Sequence, residues 1–548
     1  MLDIVDNFDL MYYIYGNIYV EMEVKMRSDF SNSKKPSIEQ ILYRLVAVQS
    51  DTGTKQEVDM AECIFSIIQE DRYFAENPHQ CGCFHNGDIL GRPVVWALKR
   101  AEQKTDKTII LNGHYDAAEI DSYGSLKPLA LKPNELKPAL KELNLSQEIR
   151  EDLDNPDWCF GRATADMKAG IAINLHVLFA DTKRDVNILF ISVCDEENIA
   201  AGMLDAVTLL LKLKSEQELD YKLLFLTEPH VREDKHTFLV YNGSVGKLLP
   251  CVVAKGKLSH VGLISAGLNP VLMMSEIVKG IERNPDLCSS DLGVTTQPPT
   301  VLHMKDSKHS YDVSIPEYVS MYFNLLFFRN TPVTTLLDNI KNLCEEALQK
   351  VAPDHAPKVY SFGELEDICE KTYSDYKEIK RALYLKAEKQ VLDGTLCLQD
   401  AGLLIVKETI RASRITEPLA VVGLLPPYLP ATNNRYLPDY DYSKTMSAIT
   451  EVLDKIGIAH KDLAYFMGLS DNSFTMCTDP NAEKRVLSNM VIPAHLYRVD
   501  YDSVAQLNVP SIIAGPWGKD YHTISERVYM PDVTETVPEI LENIIKHL

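Results

Sequence analysis

Three short apolar runs constrain the fold of this chain more than any other feature, because each run ends in residues that can bind a metal. The runs cover residues 107–112, 186–193 and 223–226. Continuous apolar runs of this length are typical of strands buried on both faces of a sheet. In open α/β sheets, sites form beyond the carboxyl ends of the strands. The sequence therefore predicts an α/β fold with a polar site along one edge of a sheet.

Residues able to bind a metal follow all three runs. His114 and Asp116 follow the first run, Glu196 and Glu197 the second, and Glu228 the third. In the His-x-Asp pair, the carboxylate can accept the proton of the imidazole nitrogen that does not bind a metal, which orients the ring. A single acidic residue after a strand is unremarkable, because such residues commonly cap helices. Their repetition at three strand ends favours a shared site.

Two further candidates lie elsewhere in the chain. Asp166 stands in GRATADMKAG, where a turn gives way to a helical pattern, and it is interpreted either as a helix cap or as a carboxylate that bridges two metals. His522 follows a strand-like run, residues 509–514, through a Gly/Pro turn. Together with the residues at the strand ends, these two side chains complete a set suited to two metal ions.

The pattern of apolar residues predicts a discontinuous catalytic domain with an insertion. Residues 1–36 are expected to be an N-terminal extension, residues 37–243 and 429–548 the metal-binding catalytic domain, and residues 244–428 an inserted lid or dimerisation-type domain. Three details carry separate expectations. Residues 128–153 are rich in Lys, Pro and Glu and predict an exposed insertion, residues 364–411 predict helices, and residues 419–425 predict a strand closed by two prolines.

Composition narrows the classes of function. The formal net charge of −22 argues against a nucleic-acid or anionic-membrane partner. Eleven cysteines without regular spacing indicate reduced thiols, and the N-terminal segment carries acidic residues before any Lys or Arg, unlike a signal peptide. A cytoplasmic protein without a membrane span is expected.

A second cluster of metal-binding residue types is weaker. His79, Cys81, Cys83 and His85 alternate along one strand-like run. Structural zinc sites favour two to four residues between cysteines, whereas one residue separates them here. A strand with buried thiols is the preferred interpretation, and a metal cluster is the alternative.

The motifs GHYD, GRATADMK, CDEEN, LTEP and GPWGKDYHT, in this order, resemble those of the cocatalytic metallohydrolases. That family includes aminoacylase, acetylornithine deacetylase, succinyl-diaminopimelate desuccinylase and bacterial glutamate carboxypeptidase. The segments LPPYLP, GLSDNSF and SYDVSIPEYVSMYFN are similar to the branch of the arginine-utilization (RocB-like) proteins. The resemblance implies a zinc-peptidase (phosphorylase/hydrolase-like) catalytic domain, with a mixed sheet between helices, and an inserted α+β ferredoxin-like lid.

The resemblance also assigns roles to the candidate residues. His114 and Glu228 would hold one divalent metal ion, Glu197 and His522 the other, and Asp166 would bridge both. The ions are expected to be zinc, with cobalt or manganese as alternatives. Asp116 would orient His114, and Glu196 would be the general base.

Three more residues match the family less closely, and two features depart from it. His260 in the lid would reach the substrate, often across a dimer, although a loop residue ordered by a backbone contact is the alternative. Arg329 and Asp471 are candidates for substrate binding, Arg329 with a surface salt bridge as its alternative. Ala163 replaces a glycine usual in the family, and the helical stretch 364–411 has no counterpart.

The implied function is hydrolysis of an amide bond in a peptide or an N-acyl or carbamoyl amino acid, with a role in arginine or amino-acid catabolism. Two metal ions would share one hydroxide and polarise the carbonyl, and Glu196 would move the proton. The partner would be a small-molecule or short-peptide substrate, and the protein a monomer or homodimer. Two alternatives stay open: a non-hydrolytic amino-acid-binding protein that keeps the metals, and a structural or regulatory protein that uses its lid as a partner surface.

Overall fold

The computed structural model describes residues 35–548 except Ala356, and two large sheets organise them. The expected extension, residues 1–36, lies almost wholly outside this part of the chain. None of the described helices is long and apolar enough to span a membrane. All eleven cysteines are free thiols.

Twenty strands are present in the described residues. In chain order they are β1 (Cys81–Phe84), β2 (Val94–Lys99), β3 (Lys107–His114), β4 (Trp158–Phe160), β5 (Asn187–Val193), β6 (Asp220–Leu226), β7 (Thr237–Tyr241), β8 (Gly243–Ser244), β9 (Gly246–Lys255), β10 (Ser290–Asp291), β11 (Val294–Thr295), β12 (Thr300–Asp306), β13 (Tyr318–Phe327), β14 (Lys358–Ser361), β15 (Leu419–Leu429), β16 (Thr432–Asn433), β17 (Ala459–Leu463), β18 (Ser511–Ile513), β19 (Gly518–Lys519) and β20 (Arg527–Tyr529).

Sixteen α-helices accompany them in the same residues. They are α1 (Ile38–Val46), α2 (Gln56–Glu70), α3 (Arg72–Glu76), α4 (Pro133–Leu140), α5 (Gln147–Asp154), α6 (Ala169–Phe179), α7 (Ala201–Glu216), α8 (Pro270–Ile281), α9 (Val333–Val351), α10 (Phe362–Thr372), α11 (Tyr376–Leu392), α12 (Leu398–Ala412), α13 (Tyr442–Ile456), α14 (Pro480–Leu487), α15 (Tyr501–Leu507) and α16 (Val537–His547).

The first sheet brings the three predicted strands side by side. Its order is β1-β2-β5-β3-β6-β18-β7-β17, and β3 pairs in parallel with both β5 and β6. Alternate residues of β3 enter different apolar cores: Ile110 packs in one, and Ile109 and Leu111 pack in the other. Both faces are covered, which explains the unbroken apolar runs. The predicted α/β class with a mixed sheet between helices is confirmed.

The second sheet is built from the middle of the chain. Its order is β12-β13-β9-β15-β14, and it is antiparallel except for the β14–β15 pair. Helices α8 and α9 pack against it through buried residues such as Met273, Ile277 and Ile340. The stretch predicted to be helical, residues 364–411, forms α10, α11 and α12, and α12 packs against β15 and β9.

Two local expectations need correction. The strand predicted to close at residues 426 and 427 continues to Leu429, and its register against β9 shifts between Leu425 and Leu429. A bulge there accommodates prolines, which have no N–H to donate to the ladder.

The stretch 128–153 is not simply an exposed insertion. Its residues Leu136, Leu140 and Leu153 are buried in an apolar cluster with Trp158 and Trp517.

The close packing of α12 generates a stability prediction. A Cβ at Gly402 would lie 2.9 Å from the Val491 side chain and closer still to Leu425. Gly402→Ala should lower the free energy of unfolding by about 1–3 kcal/mol, because added volume in a packed core forces shifts. The matched control is Gly280→Ala in α8, where a Cβ meets nothing within 4 Å, and which should not lower it. Equal urea midpoints for the two variants would contradict this packing.

Candidate metal centre

The predicted site residues collect at one edge of the first sheet. His114 is the last residue of β3, Glu196 and Glu197 follow β5, and Glu228 follows β6. Since these strands are parallel neighbours, their carboxyl ends meet at the same edge. β18 lies beside β6 and parallel to it, and the chain that leaves β18 carries His522 to this edge.

Asp166 lies between two histidines from distant parts of the chain. Its Oδ1 is 3.1 Å from Nε2 of His114, and its Oδ2 is 3.4 Å from Nε2 of His522. Glu228 Oε1 is 3.7 Å from the same nitrogen of His114, and Glu197 Oε1 is 2.6 Å from that of His522. The structure thus brings together all five residues proposed as metal ligands, and each oxygen of Asp166 faces a different histidine.

This donor set fits divalent cations. Atoms of His114, Asp166 and Glu197 that could ligate a metal lie within 4.8 Å of one another. Burial, with the charges of Asp166 and Glu197, raises the pKa of Glu228 to about 8 against the opposing effect of His114. Carboxylates crowded in a buried site need positive charge to remain ionised. Imidazole and carboxylate are ligands that zinc accepts.

Asp116 contacts the turn after β5 as well as His114, whereas the sequence predicted only the contact with His114. Its main-chain carbonyl is 3.1 Å from Nδ1 of His114, and its carboxylate Oδ1 is 3.4 Å from the same nitrogen. The carboxylate also accepts hydrogen bonds from the backbone N–H of Glu196 at 3.0 Å and of Glu197 at 3.2 Å, and from the Thr52 hydroxyl at 3.0 Å. One buried carboxylate therefore couples the His114 ring to the turn that carries Glu196 and Glu197.

Glu196 differs from its neighbour Glu197 in its contacts. Its side chain is buried, and Oε1 has no hydrogen-bond partner among the described residues. Burial raises the pKa of Glu196 well above its usual value, and Glu228, Glu197 and Asp471 raise it further, while His114 lowers it. An unpaired carboxylate beside the cluster is free to exchange a proton with a bound molecule.

The three residues predicted to contact the substrate, Asp471, Arg329 and His260, do not share one location. Asp471 is buried near His114 and accepts a hydrogen bond from the Asn112 amide at 3.3 Å; burial raises its pKa to about 7. Arg329 is half-buried, and its guanidinium lies 4.9 Å from the centre of the Tyr436 ring. His260 is exposed, and its Nδ1 accepts a hydrogen bond from the Gly262 N–H at 3.1 Å. Neither Arg329 nor His260 makes a described contact with the five clustered residues.

The alternating His/Cys motif forms no comparable cluster. Within residues 35–548, apart from Ala356, the only group of three or more His, Cys, Asp or Glu side chains arranged to hold a metal is that of His114, Asp166 and Glu197. Cys81 is buried and Cys83 half-buried on β1. The predicted strand therefore holds only the two cysteines, because His79 lies in a 3-10 helix (Pro78–Gln80) before β1 and His85 follows β1.

Several residues around the site adopt left-handed backbone conformations. Asp195 and His522 both have φ of 63°, and Ala163 has φ of 60°. Such values are uncommon for residues other than glycine, and they persist where the surrounding structure over-determines the chain. At Ala163 this explains why a glycine would fit the same turn more easily.

Sequence reasoning missed a buried network behind the Glu196–Glu197 turn. Arg92 Nη1 donates to Glu57 Oε1 at 2.7 Å and to Asp195 Oδ1 at 2.8 Å. Glu57 Oε2 in turn accepts the N–H of Asp195 at 2.9 Å. Local sequence patterns could not predict this network, because Glu57, Arg92 and Asp195 come from three separate segments of the chain.

Helix α12 reaches the same turn. The Gln399 side chain, near the start of α12, donates to the Asn198 side chain at 3.3 Å and to the Pro426 carbonyl at 3.1 Å. Asn198 directly follows Glu197 and donates to Asp195 at 3.3 Å. Helix α12 thus contacts the turn that carries two predicted site residues.

Comparison with known families agrees with this geometry. The model of Peptidase family M20/M25/M40 matches residues 144–546. The chain is also similar to the uncharacterized protein YqjN of Bacillus subtilis (strain 168), with 32% identity over 535 residues that cover 93% of this chain and 95% of YqjN. The chain therefore belongs to this peptidase family.

The RocB-like branch is supported as well. Protein RocB of Bacillus subtilis (strain 168) is 27% identical over 549 residues, covering 93% of this chain and 94% of RocB. Among solved structures, human carnosine dipeptidase 1 has a TM-score of 0.53 at 12% identity, covering 97% of this chain and 98% of its own. At that identity the likeness concerns the fold. The predicted family and branch are confirmed.

The contacts of Asp116 generate a prediction about metal affinity. Asp116→Asn should weaken zinc binding by about 10- to 100-fold, because an amide cannot both orient His114 and accept the N–H groups of Glu196 and Glu197 as a carboxylate does. Competition with a chromophoric chelator measures the affinity. Asp338→Asn, at an exposed position of α9, is the control and should leave it unchanged. An unaltered affinity in Asp116→Asn would remove the orienting role.

Proposed function

We propose that this protein is a metal-dependent hydrolase that cleaves an amide bond in a peptide or in an N-acyl or carbamoyl amino acid. The observation that carries the proposal is the position of Asp166, whose two oxygens face two histidines contributed by opposite ends of the chain. Membership of a peptidase family supports the same class of reaction. In this proposal His114 and Glu228 hold one ion, Glu197 and His522 the other, and Asp166 is shared.

Two divalent cations at such a centre supply charge that polarises the scissile carbonyl and lowers the pKa of a water molecule. Zinc suits the ligands best, with cobalt or manganese as alternatives. Glu196 is assigned the proton transfer: its Oε1 is free of protein hydrogen bonds among the described residues. It would take a proton from the attacking water and pass it to the leaving nitrogen.

Lys247 is proposed to bind a carboxylate of the substrate. It is half-buried near the start of β9, between Leu326 of β13 and Leu429 of β15. Burial lowers the pKa of Lys247, and the negative charges of Glu196 and Glu197 oppose that effect. No described residue forms an ion pair with it. A half-buried lysine without an ion-pair partner among the described residues suits an amino-acid or short-peptide substrate with a free carboxylate.

The remaining assignments rest on weaker support. Similarity to Protein RocB favours a role in arginine or ornithine catabolism, and a cytoplasmic location accords with it. Contact of His260, Arg329 or Asp471 with the substrate stays a prediction, and so does the oligomeric state of monomer or homodimer. For His260, an exposed position in the lid means that movement of the lid or a second copy would be needed.

The proposed roles of two adjacent glutamates separate in one experiment. Hydrolysis is assayed after dialysis against a chelator and addition of zinc, cobalt or manganese, on N-acyl and dipeptide derivatives of arginine, ornithine and citrulline. Glu196→Gln should lower kcat by about 100- to 10,000-fold with zinc affinity retained. Glu197→Gln should lose zinc affinity as well, because it removes a ligand. If the wild type binds zinc but cleaves nothing in this panel, and Glu196→Gln behaves identically, a non-hydrolytic binding protein is favoured.

The role of Lys247 predicts a defect that depends on the substrate. Lys247→Met should lower kcat/KM by about 10- to 150-fold for substrates with a free carboxylate, the range expected for loss of a charged hydrogen bond. The same substrates with the carboxylate amidated should be cleaved equally by wild type and variant. Lys305→Met, at an exposed position of β12, serves as the control. An equal loss on both substrate types would refute the assignment.

A further inference from the structure

The two loops that deliver Asp166 and His522 are cross-linked by a buried ion pair. Arg162 is 2% exposed and Glu526 0% exposed, and Arg162 Nη1 donates to Glu526 Oε2 at 2.6 Å. Antiparallel pairing of β4 with β20 brings the two residues together, since Phe160 lies opposite Arg527. Arg162 stands four residues before Asp166, and Glu526 stands four residues after His522.

Each member of the pair also holds the loop of the other. Arg162 Nη2 donates at 3.1 Å to the main-chain carbonyl of His522. Glu526 Oε1 accepts from the N–H groups of Ala165 and Asp166, both at 3.4 Å. The arrangement is reciprocal. Arg162, from the loop of Asp166, fixes the backbone of His522, and Glu526, from the loop of His522, fixes the backbone of Asp166.

The same guanidinium is anchored to a third segment. Its Nη2 also donates to the carbonyl of Glu119 and to the hydroxyl of Ser122, each at 3.1 Å, and the group lies 5.3 Å from the centre of the Tyr123 ring. An arginine held on so many sides has little freedom to move. Its position therefore determines where the His522 carbonyl can lie.

We propose that Arg162 and Glu526 are positioning residues that fix the separation of Asp166 and His522, and thereby set the affinity of the centre for the cation that these two side chains share with Glu197. This inference rests on the proposed two-metal function. Neither residue is among the five proposed metal ligands. Removing either partner would also leave a buried charge without compensation, so the test must separate lost folding from lost positioning.

A double variant makes that separation. Arg162→Met with Glu526→Leu replaces the pair by apolar side chains of similar volume, a change that commonly preserves folding. Arg162→Lys and Glu526→Gln are the conservative single variants. The control is Glu542→Gln, which removes the charge of half-buried Glu542 from its pair with buried Arg184. Arg184 lies near the start of β5, at the end of that strand away from the metal centre. Zinc alone is titrated into each chelator-stripped protein by calorimetry, with thermal unfolding recorded in parallel without metal.

The expected result is that the wild type binds two zinc ions. The folded double variant should bind one ion with near wild-type affinity and the second about 10- to 100-fold more weakly. Arg162→Lys should fall between them, since one ammonium cannot reproduce the fork of the guanidinium. Glu542→Gln should lower the unfolding temperature and leave both affinities unchanged.

Two outcomes would overturn the inference. If the double variant or, should it not fold, the two single variants bind both zinc ions as the wild type does, the pair is structural only. If the wild type binds fewer than two ions, the inference and the proposed centre fail together. Two bound ions without hydrolysis would overturn the proposed function alone.

Discussion

The structure depends on a concentration of negative charge at one buried point. Asp166 faces His114 with one oxygen and His522 with the other, and Glu197 and Glu228 approach the same two rings. Carboxylates packed in this way repel one another and lose hydration, so they are tolerable only with bound positive charge. The surrounding fold is consistent with holding these groups in place against that repulsion.

Several independent supports perform this task. Parallel strands β5, β3 and β6 set the positions of Glu197, His114 and Glu228 along one sheet edge. Asp116 joins two of these strand ends through hydrogen bonds to backbone N–H groups. The pairing of β4 with β20 supplies the third connection, between the loops of Asp166 and His522. Left-handed backbone at His522 and Asp195 is the kind of local strain that such redundant support sustains.

Much of this could be predicted from the sequence, and the reason is physical. Strands buried on both faces leave unbroken apolar runs, and metal-binding residues directly after such runs must share one sheet edge when the strands are parallel. The strand pattern therefore identified His114, Glu197 and Glu228 as candidates, whereas the bridging role of Asp166 came only from the resemblance to the family. Glu526 and Arg92 were not, because their function depends on contacts between distant segments, and a lone charged residue resembles any surface residue in sequence.

The errors and gaps have similar causes. The prolines at 426 and 427 ended the predicted strand, yet β15 continues to Leu429 because a bulge absorbs them. The burial of leucines in residues 128–153 could not be predicted from a stretch rich in Lys, Pro and Glu. It depends on Trp158 and Trp517, which lie outside that stretch in sequence. Helices α10–α12 were predictable as helices, but their contact with the Glu197 turn through Gln399 is a property of tertiary structure. The same holds for His260 and Arg329, whose matches to the family did not indicate where they would lie.

We propose that two cations share Asp166 between ligands from opposite ends of the chain. The most direct measurement is anomalous X-ray diffraction at the zinc absorption edge from crystals grown with zinc. Two anomalous peaks are expected on either side of the Asp166 carboxylate, one beside His114 and Glu228 and one beside Glu197 and His522. A single peak, or peaks that do not contact Asp166, would contradict it.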